Sequence, residues 1–213
     1  CSVALWRDGD VRAHRFQEMH RGHAEALMPM VVETLAEGAT GFDQLDHMAV
    51  TVGPGSFTGI RAGLATARGL ALAHGTPLVG FTTLETVAFA AANSGTGTYE
   101  TLIIALETGR SDLYVQWFGA DLTPLCHPAS IAPDAVAEAL PQGRLVGYGD
   151  GMSRLEQEWN GAPRHVEILS GAGLPDAADL AQIAAARSGR SPSPLYLHPP
   201  HVTAPAQPRS KIP

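Results

Sequence analysis

The residues most able to do chemistry lie in a glycine-rich turn at positions 53–59, Gly-Pro-Gly-Ser-Phe-Thr-Gly. A glycine-rich turn that opens a helix can bind a phosphate through its free backbone N–H groups. This turn lacks the Gly-Lys-Ser/Thr ending of a P-loop, and its glycine spacing differs from that of a dinucleotide-binding fingerprint. Its geometry would allow phosphate binding, but no side chain in it supports that chemistry.

The two hydroxyls of the turn, Ser56 and Thr58, would be the nucleophiles of a hydrolase. The sequence has no Gly-x-Ser-x-Gly elbow, and it places no histidine to act as the base for either hydroxyl. Both residues fit better as N-terminal caps of the helix that follows, because a cap side chain accepts a hydrogen bond from the first turn.

Two pairs of histidines have a spacing of three residues: His20 with His23, and His198 with His201. No carboxylate accompanies either pair at a known ligand spacing, so we predict no metal site. Cys1 and Cys126 form neither a disulfide framework nor a metal motif. Two cysteines in a chain of this length are typical of a reducing cytosol, and we expect a cytoplasmic protein.

The composition indicates a folded domain or two small lobes: 213 residues, 45% apolar and 16% charged. The net charge of −7 argues against an autonomous nucleic-acid binder, which would need Lys and Arg to displace counterions from phosphates. No run of 18 apolar residues occurs and no signal peptide is recognisable, so no membrane association is expected.

The glycine-rich turn lies between a predicted strand at 48–52 and a predicted helix at about 57–73. Gly75 and Pro77 end that helix, and an apolar strand follows at 78–81. Such a strand–helix–strand unit favours a parallel pair with a right-handed crossover. The other predicted elements are strands at 2–6, 11–16, 102–106, 113–118 and 144–148, and helices at 22–37, 83–93, 133–140 and 176–187.

The helix after the turn carries two rows of small residues. Residues four apart lie on one face of a helix, so the rows make a nearly flat stripe. Its interior glycines each cost about 0.5–1 kcal/mol relative to alanine, which implies close packing there. The stripe either packs against the chain's own sheet or forms a docking face for a second chain. The rows are Gly59, Gly63, Ala67 and Ala71, and Ala62, Thr66 and Gly69.

The stretch from Gly53 to Ala71 resembles the signature of the TsaB (YeaZ) family. The resemblance extends to about residue 200. Cys1–Trp6 with the following Asp-Gly turn is similar to the family's second strand and hairpin, and 23–35 to its first helix. Residues 102–114 resemble a later strand and turn, and 194–197 the C-terminal Pro-x-Tyr-Leu element.

This resemblance implies a two-lobed α/β fold of the actin/Hsp70/sugar-kinase (ASKHA) type, with the family's first strand apparently missing from this chain. The Gly-Thr-Gly linker at 95–97 divides the chain into an N-terminal lobe (1–94) and a smaller C-terminal lobe (95–191). The prolines from residue 192 onward predict a Pro-rich tail (192–213) with no core of its own. From the strand pattern alone, only a mixed α/β fold follows.

By the same resemblance, the chain is a non-catalytic scaffold subunit in the synthesis of N6-threonylcarbamoyladenosine (t6A) next to the tRNA anticodon. It would pair with a TsaD-like sister subunit, recruit a TsaE-like ATPase, reach tRNA only through the complex and self-associate as a homodimer without its partner. The docking surface would be formed by the helices at 23–35 and 57–73. The expected interface residues are His23, Leu27, Met30, Val31, Thr58, Gly59, Ala62, Gly63, Thr66 and Ala67.

Glu107 and Gly109 are weak candidates for nucleotide binding, because kinase-like members of the fold place an acidic residue at this strand end. Most TsaB sequences have an aspartate at the place that Glu107 resembles. Glu107 is therefore interpreted either as part of a structural turn or as a vestigial ligand. We expect no catalytic residue and no tightly bound cofactor, with ATP or ADP held at most at the interface of the complex. The alternatives are an ATP-dependent phosphotransferase of the same fold and a protease acting on the partner subunit.

Overall fold

A computed structural model describes residues 1–95, 97–159 and 166–198 of the protein. It confirms a mixed α/β fold. The helices are α1 (His23–Glu37), α2 (Phe57–His74), α3 (Thr83–Asn93), α4 (Pro133–Ala139), α5 (Met152–Glu158) and α6 (Ala177–Ala186). The strands are β1 (Ser2–Arg7), β2 (Asp10–Phe16), β3 (Met48–Thr51), β4 (Leu78–Phe81), β5 (Thr101–Glu107), β6 (Leu113–Gly119), β7 (Ala129–Ile131), β8 (Leu145–Tyr148) and β9 (Val166–Ile168).

The C-terminal half is built on one five-stranded sheet with the order β7-β6-β5-β8-β9. Its central strand, β5, pairs antiparallel with β6 and parallel with β8. Helix α3 packs against one face of this sheet, where Leu84 and Val87 join a cluster with Leu102 and Phe118. Helices α4 and α5 contribute to the core on the other face. The sheet is therefore covered on both sides, as expected for strands that are apolar throughout.

The N-terminal half contains two separate two-stranded sheets. Strands β1 and β2 form an antiparallel hairpin, and β3 and β4 form a parallel pair joined through α2. Within the described part of the chain, no strand joins the two pairs. Helix α1 packs on β1 and β2, α2 packs on β3 and β4, and the two helices contact each other.

Local hydrogen bonds confirm several predicted helix boundaries. The Ser56 hydroxyl accepts a bond of 3.1 Å from the backbone N–H of Gly59 and caps α2. Gly75 ends that helix in the left-handed region, at φ 68°. Thr82 and Glu85 form a capping box at the start of α3. The structure adds β7, α5 and β9, which the sequence analysis did not predict.

The end of the chain returns to the N-terminal half. Helix α6, assigned to the C-terminal lobe by its position in the sequence, packs against β1, β2, β3 and β4 as well as α3. Residues 190–198, which we call the C-terminal strap, then run across the molecule. Arg190 pairs with Gly80, and the Leu195 N–H donates to the Val52 carbonyl at 2.8 Å.

From residue 192 the sequence predicts a tail with no core of its own. The strap differs from this prediction, because it packs against the rest of the protein. Leu195 packs against the cluster around Val52, and Leu197 packs against the cluster around Phe118. The strap therefore touches the cores of both halves. The rest of the predicted tail, residues 199–213, lies outside the described residues, as does His201.

Candidate functional site

The glycine-rich turn is a packed connection. Gly53 has a φ of +107° and its carbonyl accepts the Thr83 N–H at 2.9 Å. A Cβ atom on Gly53 would lie 2.5 Å from the Leu195 carbonyl oxygen, so only glycine lets the strap approach this closely. Ser56 is committed to capping α2. These contacts give the turn a structural role and favour capping over a nucleophile at Ser56.

Eight of the ten interface residues predicted from sequence line one cavity of about 720 Å³. This cavity, which we call the slot, extends between β1 and β3 and is also lined by α1, α2 and α6. Of the remaining two residues, Met30 is buried and Thr58 is exposed. The eight residues that line the slot are His23, Leu27, Val31, Gly59, Ala62, Gly63, Thr66 and Ala67.

The small-residue stripe therefore faces the interior of its own half along much of its length. A Cβ atom on Gly63 would lie 3.8 Å from Val50 Cγ2, an ordinary van der Waals contact with β3. Ala67 packs beside the cluster that contains Val50 and Leu64. Gly69 is the exception, because a Cβ atom there would meet nothing within 4 Å.

Helices α1 and α2 also carry exposed apolar residues. Val32 is 55% exposed and Leu72 is 87% exposed, although both are large apolar side chains. We use the name outer helix face for five exposed residues of these two contacting helices: Met28, Val32, Ala65, Gly69 and Leu72. Of these five residues, the sequence analysis named only Gly69, as part of the small-residue stripe. The available signal was that both helices are apolar on more than one side, which is typical of a helix with two packing partners.

Glu107 is engaged by an arginine. Its carboxylate lies 2.6 Å from the Arg154 guanidinium, which also donates to the carbonyls of Arg110 at 3.1 Å and Ser111 at 2.7 Å. Gly109 forms the turn between β5 and β6, with a φ of +71°. These contacts favour the structural turn over the vestigial ligand, because the carboxylate charge is already neutralised.

Asp150 also closes this end of the sheet. Its Oδ1 atom accepts the Glu107 N–H at 2.9 Å. Burial raises the pKa of Asp150, and the nearby charge of Glu107 acts in the same direction. Across residues 1–95, 97–159 and 166–198, no group of three or more His, Cys, Asp or Glu side chains is arranged to hold a metal ion.

His198 anchors the strap to the C-terminal half. Its Nε2 atom lies 2.8 Å from both Ser130 Oγ and Asp112 Oδ2. Since the carboxylate and the hydroxyl share the same ring nitrogen, the aspartate does not orient the imidazole toward the serine as it does in a catalytic triad. The sequence analysis assigned His198 no role beyond the absence of a metal motif; its contacts depend on partners 68 and 86 positions away in the chain.

The chain is similar to known proteins over most of its length. Residues 16–159 match the family model described as TsaD, tRNA N6-adenosine threonylcarbamoyltransferase. The TsaB protein of Escherichia coli strain K12, a tRNA threonylcarbamoyladenosine biosynthesis protein, is 34% identical over 193 residues, which cover 86% of this chain and 80% of that protein. Within the described residues, no helix has the length and apolar character needed to cross a membrane.

Solved structures give the same result. A Pseudomonas aeruginosa protein described as similar to the peptidase YeaZ superposes with a TM-score of 0.77 at 27% identity, over 93% of this chain and 94% of that chain. YeaZ from the same organism superposes with a TM-score of 0.77 at 26% identity, over 92% and 94%. The similarity therefore extends over both halves of the molecule.

Proposed function

The chain belongs to the TsaB family, and we propose that it is a non-catalytic subunit of the machinery that makes threonylcarbamoyladenosine on tRNA. Its family relatives are named for tRNA threonylcarbamoyladenosine biosynthesis. Other relatives are named as tRNA N6-adenosine threonylcarbamoyltransferases, among them one from Maricaulis maris that is 34% identical over 131 residues. A subunit that organises this transferase is the simplest role for a chain that resembles both.

The proposed partner is a TsaD-type subunit, and the outer helix face is the observation that supports this pairing. Large apolar side chains that stay exposed on two adjacent helices are a common mark of a protein–protein interface. We propose that the outer helix face makes the contact. The ten residues predicted from sequence would then fix how α1 and α2 pack beneath it, and the two helices would form a bundle with helices of the partner.

Binding of a TsaD-type subunit from the same organism tests this proposal. Leu72→Lys places a charge in the contact, so we expect affinity for the partner to fall at least tenfold, as measured by calorimetry. The matched control is Leu125→Lys, which changes a 56% exposed leucine of the C-terminal half and should leave affinity unchanged. Equal affinities for Leu72→Lys and the unchanged protein would contradict the assignment of this face.

The same complex tests how the chain reaches RNA. With 21 acidic and 14 basic side chains, the free chain has few groups with which to neutralise phosphates. We therefore propose that tRNA is contacted only through the complex. In a gel at physiological salt the complex should shift tRNA and the free chain should not; tight, salt-sensitive binding by the free chain would contradict the proposal.

We further propose that the chain does not hydrolyse ATP by itself and holds ATP or ADP at most where it meets its partner. The Arg154 ion pair supports this, since it occupies the one carboxylate that the family resemblance puts at the nucleotide end of β5. The substitution Arg154→Ala would remove this ion pair from the Glu107 carboxylate. ATP turnover by the unchanged chain above the buffer rate would favour the phosphotransferase alternative.

Recruitment of a TsaE-like ATPase and self-association of the free chain complete the proposal. Without its partner, the outer helix face could pair with the same face of a second copy in a two-fold dimer. In that case Leu72→Lys should also abolish the dimer in sedimentation experiments. A dimer that survives the substitution would place self-association elsewhere on the surface.

A further inference from the structure

The strap contacts the two halves of the molecule at nearly successive residues. The Leu195 N–H donates to the Val52 carbonyl at 2.8 Å, and the Leu195 side chain packs beside the cluster of the N-terminal half that contains Val52. Two positions later, Leu197 packs beside the cluster of the C-terminal half that contains Phe118. Extended chain advances about 3.3 Å per residue, so the strap passes from one half to the other over about 7 Å. Loss of one of these contacts should therefore loosen the other.

Two glycines of the N-terminal half leave room for the backbone of the strap. A Cβ atom on Gly53 would lie 2.5 Å from the Leu195 carbonyl oxygen, and a Cβ atom on Gly80 would lie 3.1 Å from Pro192 Cα. Both distances are shorter than ordinary van der Waals contact, so a side chain at either position would displace the strap. Because Gly53 belongs to the glycine-rich turn, part of the glycine content of that turn serves the strap.

Two arginines of α2 also hold the strap. The Arg68 guanidinium donates to the Pro192 carbonyl at 2.6 Å, and Arg61 Nε donates to the Tyr196 hydroxyl at 3.3 Å. The Tyr196 ring lies 5.1 Å from the ring of Phe57, over which the Arg61 guanidinium is placed at 3.7 Å. These contacts fix the strap to the N-terminal half up to the point where it crosses to the C-terminal half.

On the C-terminal half the strap is held by a shielded polar contact. His198 Nε2 lies 2.8 Å from both Asp112 Oδ2 and Ser130 Oγ, and the side chains of His198 and Asp112 are only 20% and 18% exposed. The Thr108 hydroxyl donates to Asp112 Oδ1 at 3.0 Å. Asp112 therefore keeps a partner of its own half when His198 leaves, so that opening this contact frees the strap and not the carboxylate.

Tyr114 links the same place to the glycine-rich turn. Its ring centroid lies 5.6 Å from that of His198, and its hydroxyl donates to the Gly55 carbonyl at 3.5 Å. A hydrogen bond of this length is weak by itself. This contact between the halves therefore depends on neighbouring contacts that keep the halves together, and the strap supplies such contacts on both sides.

We propose that the strap is a latch that holds the two halves in one relative orientation, and that the His198 contact is its release point. While His198 is bonded to Asp112, the strap stays on both cores and the Tyr114 hydroxyl stays within reach of the glycine-rich turn. When that contact opens, the strap lifts from the C-terminal half and the two halves can turn about their remaining connections. The latch acts within one chain, so this inference is independent of the partner contact at the outer helix face.

Distances between spin labels on the two halves test the proposal on the full chain. The labels are attached at Ala73→Cys in α2 and Ala135→Cys in α4, both exposed positions, after Cys1→Ser and Cys126→Ser have removed the native thiols. We expect one narrow distance distribution for this protein. After His198→Ala the distribution should be about twice as broad, because the halves then sample further orientations. An equally narrow distribution after His198→Ala would overturn the proposal.

Two further variants identify the contact that is responsible. His198→Gln keeps an N–H donor near the position of Nε2 and should restore the narrow distribution, whereas His127→Ala changes an exposed histidine of the same half and should have no effect. Amide exchange of the Leu195 N–H reports on the strap itself, and His198→Ala should speed it about tenfold. Broadening that His198→Gln does not reverse, equal broadening by His127→Ala, or unchanged exchange at Leu195 would each overturn the proposal.

Discussion

The C-terminal half contains one continuous five-stranded sheet, whereas the described N-terminal half contains two separate pairs of strands. Both halves use an antiparallel hairpin and a parallel pair. Every residue of β6 is buried and so are six of the seven residues of β5, whereas β1 contains a single buried residue, Leu5. Apolar area removed from water is the main stabilising contribution to folding. Within the described residues, the C-terminal half therefore has the more completely buried strands, whereas the outer helix face leaves apolar side chains of the N-terminal half exposed.

Matched leucine deletions provide the largest contrast between the halves. Leu102→Ala removes a fully buried side chain of β5 and should cost about 2–5 kcal/mol in the free energy of unfolding. Leu5→Ala makes the same change in β1, beside a cavity that already exists, and should cost less, about 1–2 kcal/mol. Urea unfolding of both variants measures the difference, and equal losses would contradict the comparison.

Substitutions at two glycines of α2 distinguish packing within the N-terminal half from docking of a partner. Gly63→Leu adds atoms beside Val50, so we expect a loss of about 1–3 kcal/mol in stability and a small effect on partner affinity. Gly69→Leu adds its side chain in open space; it should gain about 0.5–1 kcal/mol through helix propensity and lower partner affinity about tenfold. Thermal unfolding and calorimetry measure these effects. A stable Gly63→Leu variant that has lost its partner would instead make the inner stripe the docking face.

The smallest expected effect is a pH dependence of the stability, which we attribute to Asp179 of α6. Burial raises the pKa of Asp179 to about 6, with the charge of Asp176 acting in the same direction and His14 opposing it. The folded state therefore holds this proton more tightly than the unfolded state, so stability falls as the pH rises from about 4 to about 6. Asp179→Asn should be more stable than the unchanged protein above pH 6, by about 1 kcal/mol because the half-buried carboxyl is partly screened, and the difference should vanish toward pH 4.

Thermal unfolding at pH 4 and pH 7.5 measures this dependence. The control is Asp121→Asn in the C-terminal half, where hydrogen bonds from Thr123 lower the pKa of an exposed carboxyl. Because that shift has the opposite sign, the control variant should not be stabilised at pH 7.5. Equal stabilisation by both substitutions would show that net charge, and not the local setting of Asp179, is responsible.

Much of the fold follows from short-range signals in the sequence. Ser56, Gly75 and the Thr82–Glu85 box mark the ends of α2 and α3, and each acts on residues within one helical turn. The hairpin of β1 and β2 follows from the Asp8-Gly9 turn between two short strands. The parallel pairing of β3 and β4 follows from the crossover rule.

The ten interface residues named from the sequence stay a prediction. The sequence identified α1 and α2 as unusual, and the structure brings eight of the ten named residues to one slot. It could not tell which side of each helix faces outward, because Val32 and Leu72 are as apolar as core residues and only the fold exposes them. The sequence leaves Glu107 open to two interpretations, and its contact with Arg154, 47 positions later in the chain, favours the structural turn.

The sequence by itself determined the family, the mixed α/β class and the ends of most elements in the described chain, since these depend on patterns within a few residues. The tertiary structure decided that α6 and the strap return to the N-terminal half, that His198 binds Ser130 and Asp112, and that the small-residue stripe faces a slot. Each of these contacts joins residues far apart in the chain, and their free energy comes from packing and backbone pairing that no local pattern encodes.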